Sequence, residues 1–197
     1  DPAIALVDIT NENDFYTWSP TVEPYRSDLE KLYREWAVRQ GIKPGDEKIV
    51  FDKSDDKILP FYIEITKNYN TEMYSHLRET GVKIPVTGSN LHGNWSRRWA
   101  HLTSQLCTDY IDSHEYWRGG THWKNGKGVF GNQPMTGSIK NMIPSFAFSH
   151  IGNKPFFISE WDNPWPNEWR AESSLLMAAV AALQGWDGLT IHTYRYS

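Results

Sequence analysis

The sequence predicts an α/β domain built on a parallel sheet. Three features carry that expectation. Short apolar runs rich in branched side chains alternate with longer stretches of helical period, and polar residues gather just after each apolar run. Strands that alternate with helices pack as a parallel sheet, whose C-terminal edge is where both barrels and open sheets carry function.

Residues 3–9 (AIALVDI) are the first apolar run and lead into Thr10, Asn11, Glu12, Asn13 and Asp14, the pattern of a buried parallel strand ending in a functional loop. Ser27 and Glu30 have capping-box spacing, and Leu29, Leu32, Tyr33 and Trp36 then recur at helical intervals up to Gly41. Phe61, Ile65, Tyr69, Met73 and Leu77 repeat every four residues through a second helix, with Pro60 near its start and Gly81 closing it. Residues 83–87 (KIPVT) make the next strand, and a Trp- and Arg-bearing segment over 95–106 the next helix. Residues 108–117 (TDYIDSHEYW) read as a strand whose last side chains, His114 and Tyr116, point into a site. The stretch 118–154 is rich in Gly, Asn, Pro and Ser without a sustained period, as expected of an irregular connection that is disordered or serves binding. Residues 155–159 (PFFIS) form a strand ending on Glu160; Asn167 caps an Ala-rich helix running to about Gln184, Gly185 stops it, and residues 189–192 give the last strand.

Composition narrows the function. The chain has 197 residues, ten Trp, 14% aromatic and 22% charged residues and a formal net charge of -4. With pI near 6.0 it lacks the basic field that nucleic acid requires, and its mean hydropathy of -0.61 gives no membrane span. Neutral ligands fit better. Cys107 is the single cysteine, which excludes an intrachain disulfide and a Cys-rich zinc module, and it is expected to be a small buried residue. Neither GxGxxG nor GxxxxGK[ST] occurs, so no nucleotide cofactor is implied. The charged segment 52–57 (DKSDDK) reads as a solvated turn.

Glu12 and Glu160 are each the first acidic group beyond an apolar strand. On one parallel sheet curled toward a barrel, they converge on its C-terminal mouth. Paired carboxylates across a bond are what glycoside hydrolysis needs; the plainer reading is that each satisfies a helix N-terminus or a salt bridge at the sheet edge. Asn11-Glu12 after the first strand, His114-x-Tyr116 on a later one and Glu160 after PFFIS together resemble the clan A glycoside hydrolases, retaining enzymes on (β/α)8 barrels. Gly185-Trp186-Asp187-Gly188 is similar to the cellulase-like and β-galactosidase-like branches. The resemblance implies a partial (β/α)8 barrel, strands four to eight with their helices, with the first three βα units and the final helix outside residues 1–197. It implies Glu12 as acid/base, Glu160 as nucleophile, Asn11 on the sugar 2-hydroxyl, Tyr116 supporting the nucleophile and His114 shaping the sugar subsite. It departs at the eighth strand, where many members place a Trp and this chain offers His192 and Tyr194; Trp161 is expected to replace that platform.

Further substrate-binding candidates are Asn90, His92 and Trp117. Trp95, Trp99, Trp123 and Trp165 also follow strands, and the Pro-stiffened stretch 161–167 (WDNPWPN) is the best aromatic subsite. Trp36, Trp169 and Trp186 read as packing residues. The histidines match no tight zinc spacing, so neither a metal nor a cofactor is expected. The leading expectation is a retaining glycosidase acting on an oligo- or polysaccharide, with an extracellular or periplasmic location. A catalytically silent carbohydrate-binding barrel and a metal-assisted hydrolase are the alternatives. A partial barrel also leaves a complementing barrel fragment or a homo-oligomer as candidate partners.

Overall fold

A computed structural model describes all residues except 1–2, 19, 46–48, 52–54, 94, 118–121, 130 and 194–197; for His122 and Trp123 only the backbone is described. The chain is mixed α/β with parallel pairing. In order it forms β1 (Val7–Thr10), α1 (Tyr25–Arg39), α2 (Leu59–Glu79), β2 (Val86–Ser89), α3 (Arg98–Gln105), β3 (Ile111–Tyr116), β4 (His122–Lys124), β5 (Lys127–Val129), α4 (Ile143–Ser149), β6 (Phe156–Asp162), α5 (Arg170–Gln184) and β7 (Gly188–Ile191).

β1 pairs with β2, β3 with β6 and β6 with β7, all parallel. Leu91, just beyond β2, makes a parallel bridge to Ser113 on β3. The lateral order β1-β2-β3-β6-β7 therefore follows the chain without a reversal, and the antiparallel hairpin β4-β5 stands apart from it. A doubly wound open sheet would reverse its order at a switch point; here the strands simply advance in one direction. Among the described residues nothing pairs with the outer edges of β1 and β7.

Two apolar clusters hold the helices to the sheet. One gathers Ile111, Phe146, Phe156, Ile158, Trp161, Met177 and Trp186 between β3, β6 and the helices α4 and α5. The other packs Tyr16, Leu29, Trp36, Phe61 and Tyr62 around α1 and α2. Each fully buried side chain of this kind contributes about 1.5–3 kcal/mol. The N-terminal ends of the strands are fixed by polar clamps: Asp109 accepts from the Val86 backbone N–H at 2.8 Å and from Tyr74 Oη at 2.7 Å. Asp187 accepts from Phe156 N at 2.8 Å. Gly88 allows a close approach behind β2, since a Cβ there would come 2.5 Å from Asn70 Oδ1.

Several expected boundaries move. α1 starts two residues before Ser27, whose hydroxyl donates to Glu23 at 2.6 Å, so the Ser27–Glu30 pair lies inside the helix and is no capping box. Leu32 is exposed although it shares the predicted apolar period. The stretch 118–154 holds β4, β5 and α4, whose short lengths leave no sustained period to read. Asn167 sits a turn before α5; its Oδ1 accepts from Trp169 N at 2.8 Å, and Trp169 occupies the cap position. Gly185 ends α5 in the left-handed conformation, as expected. Cys107 is half-buried rather than buried, its thiol directed at Lys67 O and Ser104 O. The turn expected at 52–57 lies partly outside the described residues; Asp56 and Lys57 begin a 3-10 turn.

Candidate active site

Four consecutive strands of the sheet contribute side chains to one cleft of about 820 Å³ at their C-terminal ends. Glu12 follows β1 with a φ of +46°, a left-handed conformation that costs a non-glycine residue about 1 kcal/mol or more. A polar clamp holds it there. The Glu12 backbone N–H donates to Asn90 Oδ1 at 2.9 Å, and Asn90 Nδ2 donates to Asn11 Oδ1 at 2.8 Å. Asn90 is buried and Asn11 exposed.

His114 and Tyr116 alternate with Ser113 and Glu115 along β3, so they share the inner face of the sheet. The His114 side chain is only 1% exposed, and its Nδ1 lies 3.0 Å from Glu12 Oε1 and 3.5 Å from Glu160 Oε2. Tyr116 Oη donates to Glu160 Oε2 at 2.6 Å and meets His192 Nδ1 at 3.2 Å. Burial pushes the His114 imidazole below its usual range, against the pull of Glu12 and Glu160. The two carboxylates remain open to the cleft, with side chains 39% and 23% exposed.

A bulge in β6 makes this convergence possible. Asp112 pairs with Phe157 and His114 with Glu160, so two residues of β3 oppose three of β6. Toward β7 the same happens, where Ile158 pairs with Leu189 and Trp161 with Ile191. Strict alternation would put Ser159 and Glu160 on opposite faces. With the bulge both face inward, while Phe156, Ile158 and Trp161 turn to the helices.

Below the cleft lies a buried polar layer. Ser159 Oγ is 2.6 Å from His114 Nε2 and donates to Asp112 Oδ2. Asp112 Oδ1 accepts from the N–H groups of Ser113 and Ser159 at 2.7 and 2.9 Å. Asp8 accepts from Tyr110 Oη, and Asn90 Nδ2 reaches it at 3.4 Å. Burial, with the Asp8 charge alongside, pushes the Asp112 carboxyl up to about 8; burial also raises the Tyr110 hydroxyl.

Glu12, His114 and Glu160 each present a ligand atom within 4.8 Å of the others, the one such gathering of three among the described residues. A cation would have to displace the contacts that these atoms already make with each other and with Tyr116. The arrangement as it stands suits proton transfer beside a nucleophile.

Not every predicted site residue belongs here. Trp161 is 3% exposed in the helix-facing core, so it replaces no sugar platform; the bulge that turns Glu160 inward turns Trp161 out. The rest of the stretch 161–167 offers no cleft face either, since Asn163 is buried and Trp165 is exposed away from the cleft lining. Trp117 forms part of the cleft wall but is buried, and its indole N–H donates to Gln133 O at 2.9 Å. His92 edges the cleft with its side chain 9% exposed, its Nε2 3.5 Å from Asp14 Oδ2. His114 lines the cleft and contacts both carboxylates. Of the remaining tryptophans, Trp95 is an exposed cleft residue, Trp99 is exposed outside it, and Trp186 packs in the core. Tyr194 and the Trp123 side chain lie outside the described residues.

Sequence reasoning missed Trp18, which is 60% exposed in the cleft wall and donates from Nε1 to Glu12 O at 3.3 Å. Its place in the loop after the first strand was the available signal. Asp8, Asp112 and Ser159 were missed as well, although the two-residue period leading to His114 flags Asp112. No family model, curated protein or solved structure matches the chain.

Proposed function

We propose that the chain is a retaining glycoside hydrolase acting on an oligo- or polysaccharide, with Glu12 as acid/base and Glu160 as nucleophile. The observation that carries the reading is the carboxylate separation. One oxygen of Glu12 lies within 4.8 Å of one oxygen of Glu160, which goes with the ~5–5.5 Å of retaining enzymes rather than the ~6.5–9.5 Å that leaves room for a water in inverting ones.

In the first step Glu160 attacks the anomeric carbon while Glu12 gives its proton to the departing glycosidic oxygen. The C–O bond breaks and a glycosyl ester forms on Glu160. Glu12, now a carboxylate, takes a proton from water, whose oxygen attacks the same carbon and releases the ester. The Tyr116 hydroxyl donates to Glu160 and orients it toward the cleft. The exposed rings of Trp18 and Trp95 in the cleft lining suit the apolar faces of sugars. A polysaccharide substrate goes with an extracellular or periplasmic location. The finer fold reading belongs to the same proposal: five parallel strands in chain order correspond to strands four to eight of a (β/α)8 barrel, and a complementing fragment or a second copy would cover the open edges.

The test is covalent trapping. Incubation of the chain with a panel of activated 2-fluoro glycosides is expected to add one glycosyl group on Glu160, located by peptide mass, and Glu160→Gln is expected to lose both label and turnover with its fold intact. Glycan binding without label or turnover would support the silent barrel instead. Activity abolished by a chelator and restored by a metal ion would support a metal-assisted hydrolase.

A further inference from the structure

His114 stands between the proposed acid and a buried chain of oxygens, and its two ring nitrogens have different partners. Nδ1 is 3.0 Å from Glu12 Oε1; Nε2 is 2.6 Å from Ser159 Oγ. A neutral imidazole has one N–H and one lone pair, so one neighbour must accept and the other must donate. Burial lowers the His114 imidazole below its usual range, which favours the neutral ring at pH 7. The question is which nitrogen bears the proton, and the residues beneath decide it.

Ser159 has a single hydroxyl proton and two strong neighbours, Asp112 Oδ2 and His114 Nε2. Asp112 Oδ1 is saturated by two backbone N–H donors, from Ser113 and Ser159. That leaves Oδ2, which the Ser159 hydroxyl faces. Asp112 Oδ2 accepts the serine proton. The Ser159 oxygen is left with its lone pairs toward His114 Nε2, which must carry the hydrogen.

We propose that Ser159 and Asp112 are positioning residues that hold His114 in the Nε2–H tautomer, so that its Nδ1 lone pair accepts the proton of Glu12. This deepens the proposed function and rests on Glu12 being the acid/base. With the order reversed, His114 would present Nδ1–H to Glu12 and would favour the ionised carboxylate, which has no proton for the leaving oxygen. In the proposed order Nδ1 accepts from the protonated Glu12 that acts in the first step. It also faces the bare carboxylate after that step, which drives Glu12 to recover a proton from the incoming water. The titratable groups that face His114 are Glu12 and Asp8 from β1 and its loop, Asp112 and Tyr116 from β3 and Glu160 from β6. Asp8 and Tyr110 face Asp112.

The experiment is a long-range ¹H–¹⁵N correlation of the histidine rings in the whole chain at neutral pH, with His114 assigned by the peaks missing in His114→Gln. The expected result is an unprotonated Nδ1 and a protonated Nε2 in the unmodified chain, a switch to Nδ1–H in Ser159→Ala, and retention of Nε2–H in Ser159→Thr. If a turned-over substrate is found, the alkaline limb of the Ser159→Ala rate profile moves to lower pH. An Nδ1–H or doubly protonated His114 in the unmodified chain overturns the proposal without any variant having to fold. So does a tautomer unchanged in both Ser159→Ala and Asp112→Asn. The ring measurement needs no substrate, so failure of the relay and failure of the glycosidase reading are separable: labelling of Glu160 with an Nδ1–H His114 sinks only the relay, and no labelling with an Nε2–H His114 sinks only the glycosidase.

Discussion

Tyr116 Oη lies 2.6 Å from Glu160 Oε2, across the pair of strands β3 and β6, and among the described residues makes the shorter of the two polar contacts that reach this carboxylate oxygen. The other is His114 Nδ1 at 3.5 Å, too long to replace it. A hydrogen bond to a charged group is worth about 1.5–3 kcal/mol, so Tyr116→Phe is expected to slow formation of the glycosyl ester roughly ten- to hundredfold. Pre-steady-state kinetics with an activated glycoside measures this step directly. A rate within twofold of the unmodified chain would remove Tyr116 from the mechanism.

The two exposed tryptophans of the cleft make separable contributions. Trp95 touches no catalytic group; its ring lies 5.3 Å from the Arg98 guanidinium. Trp18 also lines the cleft and donates from its indole N–H to the Glu12 carbonyl. Loss of one ring face is worth about 1 kcal/mol. Trp95→Ala should therefore raise KM about fivefold with kcat little changed, whereas Trp18→Ala should raise KM and lower kcat together. Equal effects of both on kcat would show that neither acts through sugar stacking alone.

Stability should respond to pH through two buried groups of opposite sign. The His101 imidazole, stacked 5.1 Å from Tyr16, is pushed down to about 4 by burial. As pH falls from 6.5 to 4 the unfolded chain takes up a proton that the native state refuses, and stability is lost. Asp112 runs the other way: its carboxyl, raised from 3.8 to about 8, holds a proton that the unfolded chain has released, so stability declines as pH rises across that interval. Above pH 6.5 His101 is silent and Asp112 alone sets the slope, at most about 1.4 kcal/mol per pH unit. Urea unfolding between pH 6.5 and 8 should show a falling midpoint that becomes flat in Asp112→Asn. An equal slope in both proteins would assign the titration to another group.

Element type and strand order were legible because apolar runs and helical periods alternate cleanly, and Glu12, His114, Tyr116 and Glu160 were legible because each stands at the end of such a run. What escaped was set by irregularity. The bulge in β6 leaves no mark in PFFISEWD, yet it decides that Ser159 and Glu160 share a face and that Trp161 does not. The hairpin β4-β5 and the seven-residue α4 are too short for a period to emerge. The Asp8–Asp112 layer could not be inferred from residues 104 positions apart whose meeting depends on the curl of the sheet. Trp18 was missed because a loop residue carries no periodicity at all.

The most consequential support lies behind β3. Arg98, its side chain 1% exposed, donates to Ser113 Oγ at 2.8 Å and Ser149 Oγ at 3.0 Å and reaches Glu115 Oε2 at 3.4 Å. Burial lowers its proton affinity, which Glu115 partly offsets, and a guanidinium so placed stays charged. Ser113 and Glu115 are the outward residues of the strand whose inward residues are His114 and Tyr116, so the clamp fixes the depth at which those two enter the site. Arg98→Met removes the charge that balances Glu115 and the donor shared by Ser113 and Ser149, which keep only their bonds to Leu91 O and Ser145 O, and is expected to cost about 3–5 kcal/mol in urea unfolding. The double variant Arg98→Met, Glu115→Gln removes the orphaned charge as well and should recover part of that loss. Recovery of stability without recovery of Tyr116-dependent ester formation would show that the clamp positions β3 in addition to stabilising it, whereas additive losses would mean that Arg98 and Glu115 act independently.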